Sequence, residues 1–256
     1  MEKMYNKYIQ IIKQICGYDV SVQKPDFLGE MHPVFLTKTH DSKTVFRFSS
    51  KSCALRNAEV SKVLIRHGFK VPVINIKKFG SQYCEIYPLI EGLTLAERAT
   101  QGISKEKLDR IYKQIIEISY GLAAIPLNEI KSPYNTNIIW QEKVANLCYN
   151  IINFSPRKIC HTDLHDKNIL LDNQDNVYAI LDLDAINKGS FVLSVIKMMD
   201  YAQSCGYDIH DLTRLCPNLN KNTTISISKQ IDMYKKLRNL YWLTTGQHQK
   251  KHTLQK

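Results

Sequence analysis

Glycine and proline are scarce, at 10 and 8 of 256 residues. A sandwich of many short strands punctuates its turns with both, so that architecture is disfavoured. The seven cysteines include no Cys-x-x-Cys pair. An odd number of thiols in apolar segments reads as reduced and buried, which sets the expectation of a cytoplasmic protein. No run of Lys or Arg exceeds two, although basic residues outnumber acidic ones 35 to 24 and the net charge is +11. Scattered in this way, the excess describes a Lys-rich surface and gives no nucleic-acid-binding signature. Apolar stretches are interrupted within about ten residues, too soon for a membrane span. The first sixteen residues carry Tyr5, Tyr8, Ile9, Ile12 and Ile15 at helical spacing, an amphipathic helix and not a secretory leader. What is present is an ordinary globular composition, 44% hydrophobic and 23% charged, long enough for one large domain or two lobes.

The first ninety residues alternate helix and strands. Val34–Thr39 and Thr44–Ser49 read as strands around the turn at His40–Lys43, with Arg47 facing opposite to Phe46 and Phe48. Cys53–His67 reads as a helix closed by Gly68, with Leu55, Ala58, Val63 and Leu64 on one face and Glu59 beside it. Two further strands are expected from Val71 to Phe79 and from Gln82 to Ile90. Glu91-Gly92-Leu93-Thr94 breaks the pattern and reads as a linker. Beyond it the pattern turns helical, over about 108–122, 140–152, 190–204 and 227–243.

The most informative stretch is 158–184. Ile169–Leu171 and Val177–Leu181 flank a polar turn, Asp172–Asn176, which predicts a β-hairpin. Such a hairpin brings Asp163, Asn168 and Asp182 to one end of a small sheet. Two carboxylates and an amide are hard oxygen ligands, suited to Mg²⁺ carrying a phosphate.

His161-x-Asp163-x4-Asn168, followed by a hairpin and Asp182, resembles the core of the protein-kinase-like fold, and more narrowly the aminoglycoside phosphotransferase and choline kinase-like superfamily. The resemblance runs over about residues 25–200. It implies an α+β, bilobal protein-kinase-like fold: a nucleotide-binding lobe of small antiparallel sheet plus helix over 1–91, and a mainly helical catalytic and substrate-binding lobe over 92–256. It implies ATP and Mg²⁺ as cofactors, Asp163 as the catalytic base, and Asn168 and Asp182 as metal ligands. Val45-Phe46-Arg47 is similar to the strand that carries the phosphate-contacting basic residue, and Glu59 to its acidic partner on the helix. Many members have Lys where Arg47 stands, so Lys38 and Lys51 are rival phosphate contacts. Leu89-Ile90-Glu91-Gly92 is similar to the inter-lobe hinge, with adenine against Tyr87–Ile90. Pro88 has no N–H and can only accept a hydrogen bond, so the donor comes from Leu89 or Ile90. His161 and His165 would support the loop. Asp184, two residues past Asp182, would turn to the same side if the strand continued extended.

The reaction implied is phosphorylation of a hydroxyl group on a small molecule: an amino alcohol such as choline or ethanolamine, an aminoglycoside or a sugar. A cationic acceptor needs acidic or aromatic neighbours; the candidates are Glu142, Asp200, Asp208, Asp211, Trp140, Tyr201, Tyr207 and Trp242. Three rivals stand beside this. A protein kinase is disfavoured by Thr162 in place of Arg and by Asp182-Leu183-Asp184 in place of Asp-Phe-Gly. A metallohydrolase would use His161, Asp163, His165 and Asp166 as ligands, but no distant His/Cys cluster completes the shell. A non-catalytic nucleotide-binding module is the third. The oligomeric state is left open.

Overall fold

The computed structural model describes residues 2–17, 20–23, 32–38, 42–130 and 157–190, together with 194, 195, 198, 199 and 202. The segments 140–152 and 227–243 and all eight acceptor-binding candidates lie outside the described residues. The chain divides into two compact units, Met1–Glu91 and Gly92–Lys256.

The first unit begins with α1 (Glu2–Cys16), followed by β1 (Ser21–Gln23), β2 (Val34–Lys38), β3 (Lys43–Ser49), α2 (Lys51–Arg66), β4 (Asn75–Phe79) and β5 (Gln82–Pro88). The five strands form one antiparallel sheet in the order β1-β2-β3-β5-β4. β1 had no signal in the sequence; three residues are too few for a readable alternation. Period-2 alternation in β3 sends Phe46 and Phe48 to one face of the sheet, where they join Phe35, Cys84 and the apolar stripe Tyr8, Ile11 and Ile12 of α1. The rings of Tyr8 and Phe48 lie 4.3 Å apart between centroids. Burying Phe35 and Phe46, each 1% exposed, contributes about 2–3 kcal/mol apiece.

Ser50 caps α2 by accepting the Cys53 N–H at 3.2 Å. Gly68, at φ +82, closes it in a Schellman turn: Phe69 N–H donates to Leu64 O and Gly68 N–H to Ile65 O. Ala58, Val63 and Leu64 are buried as expected, together with Ala54, Asn57 and Ser61, whereas Leu55 is 49% exposed. The buried face mixes apolar with small polar residues, so hydrophobicity alone added Leu55 to it and passed over Asn57 and Ser61. The strand expected from Val71 starts only at Asn75. Pro72 cannot donate to a ladder, and its carbonyl is taken by the Ser61 hydroxyl.

The second unit opens with β6 (Leu93–Thr94), where a linker was expected, and α3 (Leu95–Thr100). Thr94 and Glu97 form a capping box at the start of α3. Gly92 passes so close to Leu171 that a Cβ would lie 2.9 Å from its carbonyl oxygen. α4 (Lys105–Ala124) buries Ile111, Tyr112, Ile115 and Leu122, the face its 3.6-residue period predicts. Then come β7 (Arg157–His161), β8 (Ile169–Leu171), β9 (Val177–Ile180) and β10 (Ile186–Ser190). β8 and β9 form the expected hairpin, with Ile169 opposite Ile180, and β6 adds to its edge. β7 and β10 pair separately. Among the described residues no helix is long and apolar enough to cross a membrane.

Candidate active site

Both strand pairs deliver the same short stretch of chain. β7 ends on His161, and its pairing with β10 sets His161 opposite Ile186. Thr162 N–H donates to Ala185 O at 2.7 Å, its hydroxyl reaches the same oxygen at 3.0 Å, and the amide of buried Asn187 donates to that hydroxyl at 3.3 Å. The loop that follows β7 is thus stitched to the segment that follows β9.

His161 is fully buried and supports the loop on both sides. Its Nδ1 accepts the Asp163 N–H at 3.2 Å and its Nε2 lies 2.8 Å from Leu181 O. A carbonyl only accepts, so the ring hydrogen is on Nε2 and the imidazole is neutral. With both nitrogens engaged, His161 has no lone pair for a metal, which removes a ligand from the metallohydrolase reading.

Asp163 carries a side chain 36% exposed. Asn168 sits at the base of the hairpin, where Leu181 N–H donates to its carbonyl at 2.9 Å. Its amide Nδ2 donates to Asp163 O at 2.9 Å, so Oδ1 is the atom it can offer a cation. Nδ1 of His165 accepts the Lys167 N–H at 3.2 Å. Its Nε2 lies 3.2 Å from Asn168 Nδ2, an amide nitrogen that only donates, and 3.6 Å from Asp163 Oδ2. Leu164, fully buried, anchors the loop from below and lines a small cavity with Leu95, Tyr112, Ile115 and Ile169 that reaches His165 and Asp166.

Asp182 is exposed and left-handed, at φ +58 and ψ +67. An L side chain in that region carries backbone strain, which the hydrogen bonds on either side hold: Leu181 to Asn168, and Ala185 N–H to Asp182 O at 3.0 Å. Asp184 does not continue an extended strand. The chain turns in a single 3-10 turn over Leu183–Ala185, so the alternation argument for bringing Asp184 beside Asp182 fails; Asp184 is half-buried there, with Asn187 Nδ2 3.5 Å from its carbonyl.

The far end of the hairpin is also fixed. Asp172 Oδ1 accepts the N–H groups of Gln174 and Asn176 at 2.8 and 2.9 Å, and these backbone bonds, Asn176 first, hold its carboxyl below the ordinary range. Asp175, at φ +61 and buried, pairs with Arg98 of α3 and with Lys107 of α4 at 2.6 Å. The Arg98 hydrogen bonds, then that of Lys107, hold the Asp175 carboxyl well below the usual carboxylate range.

In the first unit, Arg47 points away from the aromatic core, as its alternation predicts. A carboxylate that sequence reasoning did not single out meets it there. Glu85, directly opposite on β5, takes Arg47 Nη1 at 2.9 and 3.1 Å. The signal was present as a single acidic residue in the alternating run Tyr83-Cys84-Glu85-Ile86-Tyr87, but pairing it with Arg47 required the register. Glu59 lies half-buried on α2. At the end of β5 the Leu89 N–H is consumed by Lys43 O at 2.9 Å, while Ile90 follows without a place in that ladder.

No family model matches the chain, and no curated protein does. Solved structures match it over nearly their full length. An aminoglycoside phosphotransferase in complex with GDP and kanamycin superposes with a TM-score of 0.71 at 13% identity, over 96% of this chain and 94% of that one. The chain has the protein-kinase-like fold of the aminoglycoside phosphotransferases. A thermostable mutant of another such enzyme, in a ternary complex with ADP and hygromycin B, gives a TM-score of 0.64 at 15% identity, over 93% and 92% of the two chains. A macrolide 2'-phosphotransferase from Brachybacterium faecium gives 0.61 at 14% identity, over 97% and 96%. The α+β kinase-like fold expected from the motif is therefore present.

Proposed function

We propose that the chain is a Mg²⁺-dependent phosphotransferase that moves the terminal phosphoryl group of a nucleoside triphosphate to a hydroxyl group of a small molecule. The observation that carries this is the assembly at the hairpin base: His161 and Asn168 both bond the backbone of Asp163, and the same hydrogen-bonded turn presents Asp182.

The donor set fits the cation. Asn168 Oδ1 and the Asp182 carboxylate are hard oxygens, and the left-handed turn at Asp182 is a strained backbone of the kind retained where a side chain must be aimed. A cation held there would offset charge on the nucleotide phosphates. Asp163, with its backbone pinned and its carboxylate partly open to solvent, is the base that orients the acceptor hydroxyl and takes its proton. His165, whose Nε2 lies beside Asn168 Nδ2 and Asp163 Oδ2, supports the loop. Arg47, with Glu59 on α2, is the phosphate contact of the first unit, and Pro88 O and Ile90 N–H are the pair that would meet the purine edge. Phosphoryl transfer gains mostly from positioning and charge stabilisation, and these residues supply both.

The neighbours' names direct the choice of acceptors: aminoglycosides and a macrolide, alongside the amino alcohols and sugars. Three neighbours were solved with GDP, one with ADP and one with AMP-PNP, so both triphosphates belong in the test. The experiment is turnover of ATP and GTP with Mg²⁺ against kanamycin, hygromycin B, a macrolide, choline, ethanolamine and simple sugars, comparing wild type with Asp163→Ala. Acceptor-dependent turnover lost in the variant supports the proposal. An equally active Asp163→Ala would refute it, and nucleotide binding without turnover of any acceptor would favour the non-catalytic module.

A further inference from the structure

We infer that Glu85 is a positioning residue for nucleotide binding: it aims Arg47 at the polyphosphate. The inference rests on the nucleotide-binding reading above and adds a residue that the kinase-like motif does not include.

The geometry begins with register. β3 and β5 are antiparallel, with Arg47 opposite Glu85 and Phe48 opposite Cys84. Cys84 and Phe48 belong to the core against α1, so Arg47 and Glu85 share the opposite face of the sheet. Glu85 is 1% exposed, which makes its carboxylate costly unless every lone pair finds a donor. Three side chains from two elements provide them. Oε1 accepts from Arg47 Nη1 at 2.9 Å and from the Ser49 hydroxyl at 2.7 Å. Oε2 accepts from Arg47 Nη1 at 3.1 Å and from Asn57 Nδ2 at 3.1 Å. All four contacts run donor to carboxylate, the pattern of the ionised acid.

Two consequences follow. Both oxygens converge on one nitrogen of Arg47, so the contact fixes the direction of the guanidinium. Asn57 belongs to α2, so the same carboxylate registers α2 against β3 and β5. Glu85 therefore sets where the cationic arm lies relative to the helix that carries Glu59. A long, flexible arginine loses affinity if it must be ordered at each binding event, and a built-in carboxylate removes that cost beforehand.

Glu85→Gln keeps the shape but replaces one acceptor with a donor, which must then face Arg47, Ser49 or Asn57. The test is nucleotide binding with Mg²⁺, read by calorimetry on the full chain for ADP, GDP and the corresponding nucleosides. The expected result is roughly a tenfold loss for the better-bound diphosphate, with nucleoside affinity unchanged. A merely structural role would weaken both. The loss should also vanish in an Arg47→Met background, because Glu85 acts through Arg47. If Glu85→Gln fails to fold by circular dichroism, Glu85→Asp, which keeps the charge and shortens the reach, carries the same comparison. Diphosphate affinity at the wild-type value, or an equal loss with and without Arg47, overturns the inference while leaving the nucleotide reading intact. Absence of nucleotide binding by the wild type would overturn that reading itself, and this inference with it.

Discussion

Nε2 of His161 lies 2.8 Å from the carbonyl oxygen of Leu181, so one buried ring joins the loop of Asp163 to the strand that delivers Asp182. His161→Ala would leave the Leu181 carbonyl and the Asp163 N–H buried without this partner and open a void, costing about 3 kcal/mol in urea unfolding. The two amide replacements separate the bonds. Asn can imitate Nδ1 and keep the bond to Asp163, whereas Gln reaches the Nε2 position and keeps the bond to Leu181. Gln should therefore preserve the Mg²⁺ concentration for half-maximal turnover better than Asn.

Asp182 combines a functional side chain with a strained backbone, and substitution can pull them apart. Asn tolerates the left-handed region better than Ala does, and Gly adopts it freely. Asp182→Asn and Asp182→Gly should keep thermal stability within about 0.5 kcal/mol of wild type, while Asp182→Ala loses about 1 kcal/mol. All three lose the carboxylate, and turnover should fall by on the order of 100-fold or more in each. Turnover that followed stability instead would remove Asp182 from the site.

Much of this was legible because it is local. The hairpin shows in two apolar runs around a polar turn, and α4 shows in its 3.6-residue period. What was illegible depends on distant chain. The Arg47–Glu85 pair follows from strand register, which no stretch of β3 or β5 encodes alone. β10 was hidden because Ile186–Ser190 has no alternating pattern and gains its place only by pairing with β7. Asp184 was misjudged because the 3-10 turn after Asp182 depends on Ala185, whose N–H returns to Asp182 O.

Leu89 and Ile90 are adjacent yet should respond differently to proline. The Leu89 N–H is bonded to Lys43 O, so Leu89→Pro removes a rung at the end of the β3–β5 ladder and should cost about 1 kcal/mol or more of stability. Ile90→Pro spares that bond and removes the donor proposed for the purine edge. It should weaken ADP or GDP about tenfold, by calorimetry, with little change in unfolding. Equal nucleotide affinities in Ile90→Pro and wild type would place the donor elsewhere.

Asp175 gives a pH signature. Its carboxyl is held below the usual range by Arg98 and then Lys107, so its folded-state pKa is depressed relative to the unfolded chain, where a carboxyl titrates near about 4. A depressed acid adds stability that is fully present above the unfolded value and is lost as pH falls toward the folded one. Asp175→Asn keeps the shape but discards the charge on two cations. Only Asp175 is buried in this cluster, and the partly exposed Arg98 and Lys107 can turn to water, so breaking it should cost about 1 kcal/mol at pH 7. Measured by urea unfolding, the difference between wild type and variant should stay flat from pH 7 to about 5 and shrink below about 4. A difference independent of pH down to 2 would mean that the pair contributes through packing and not through charge.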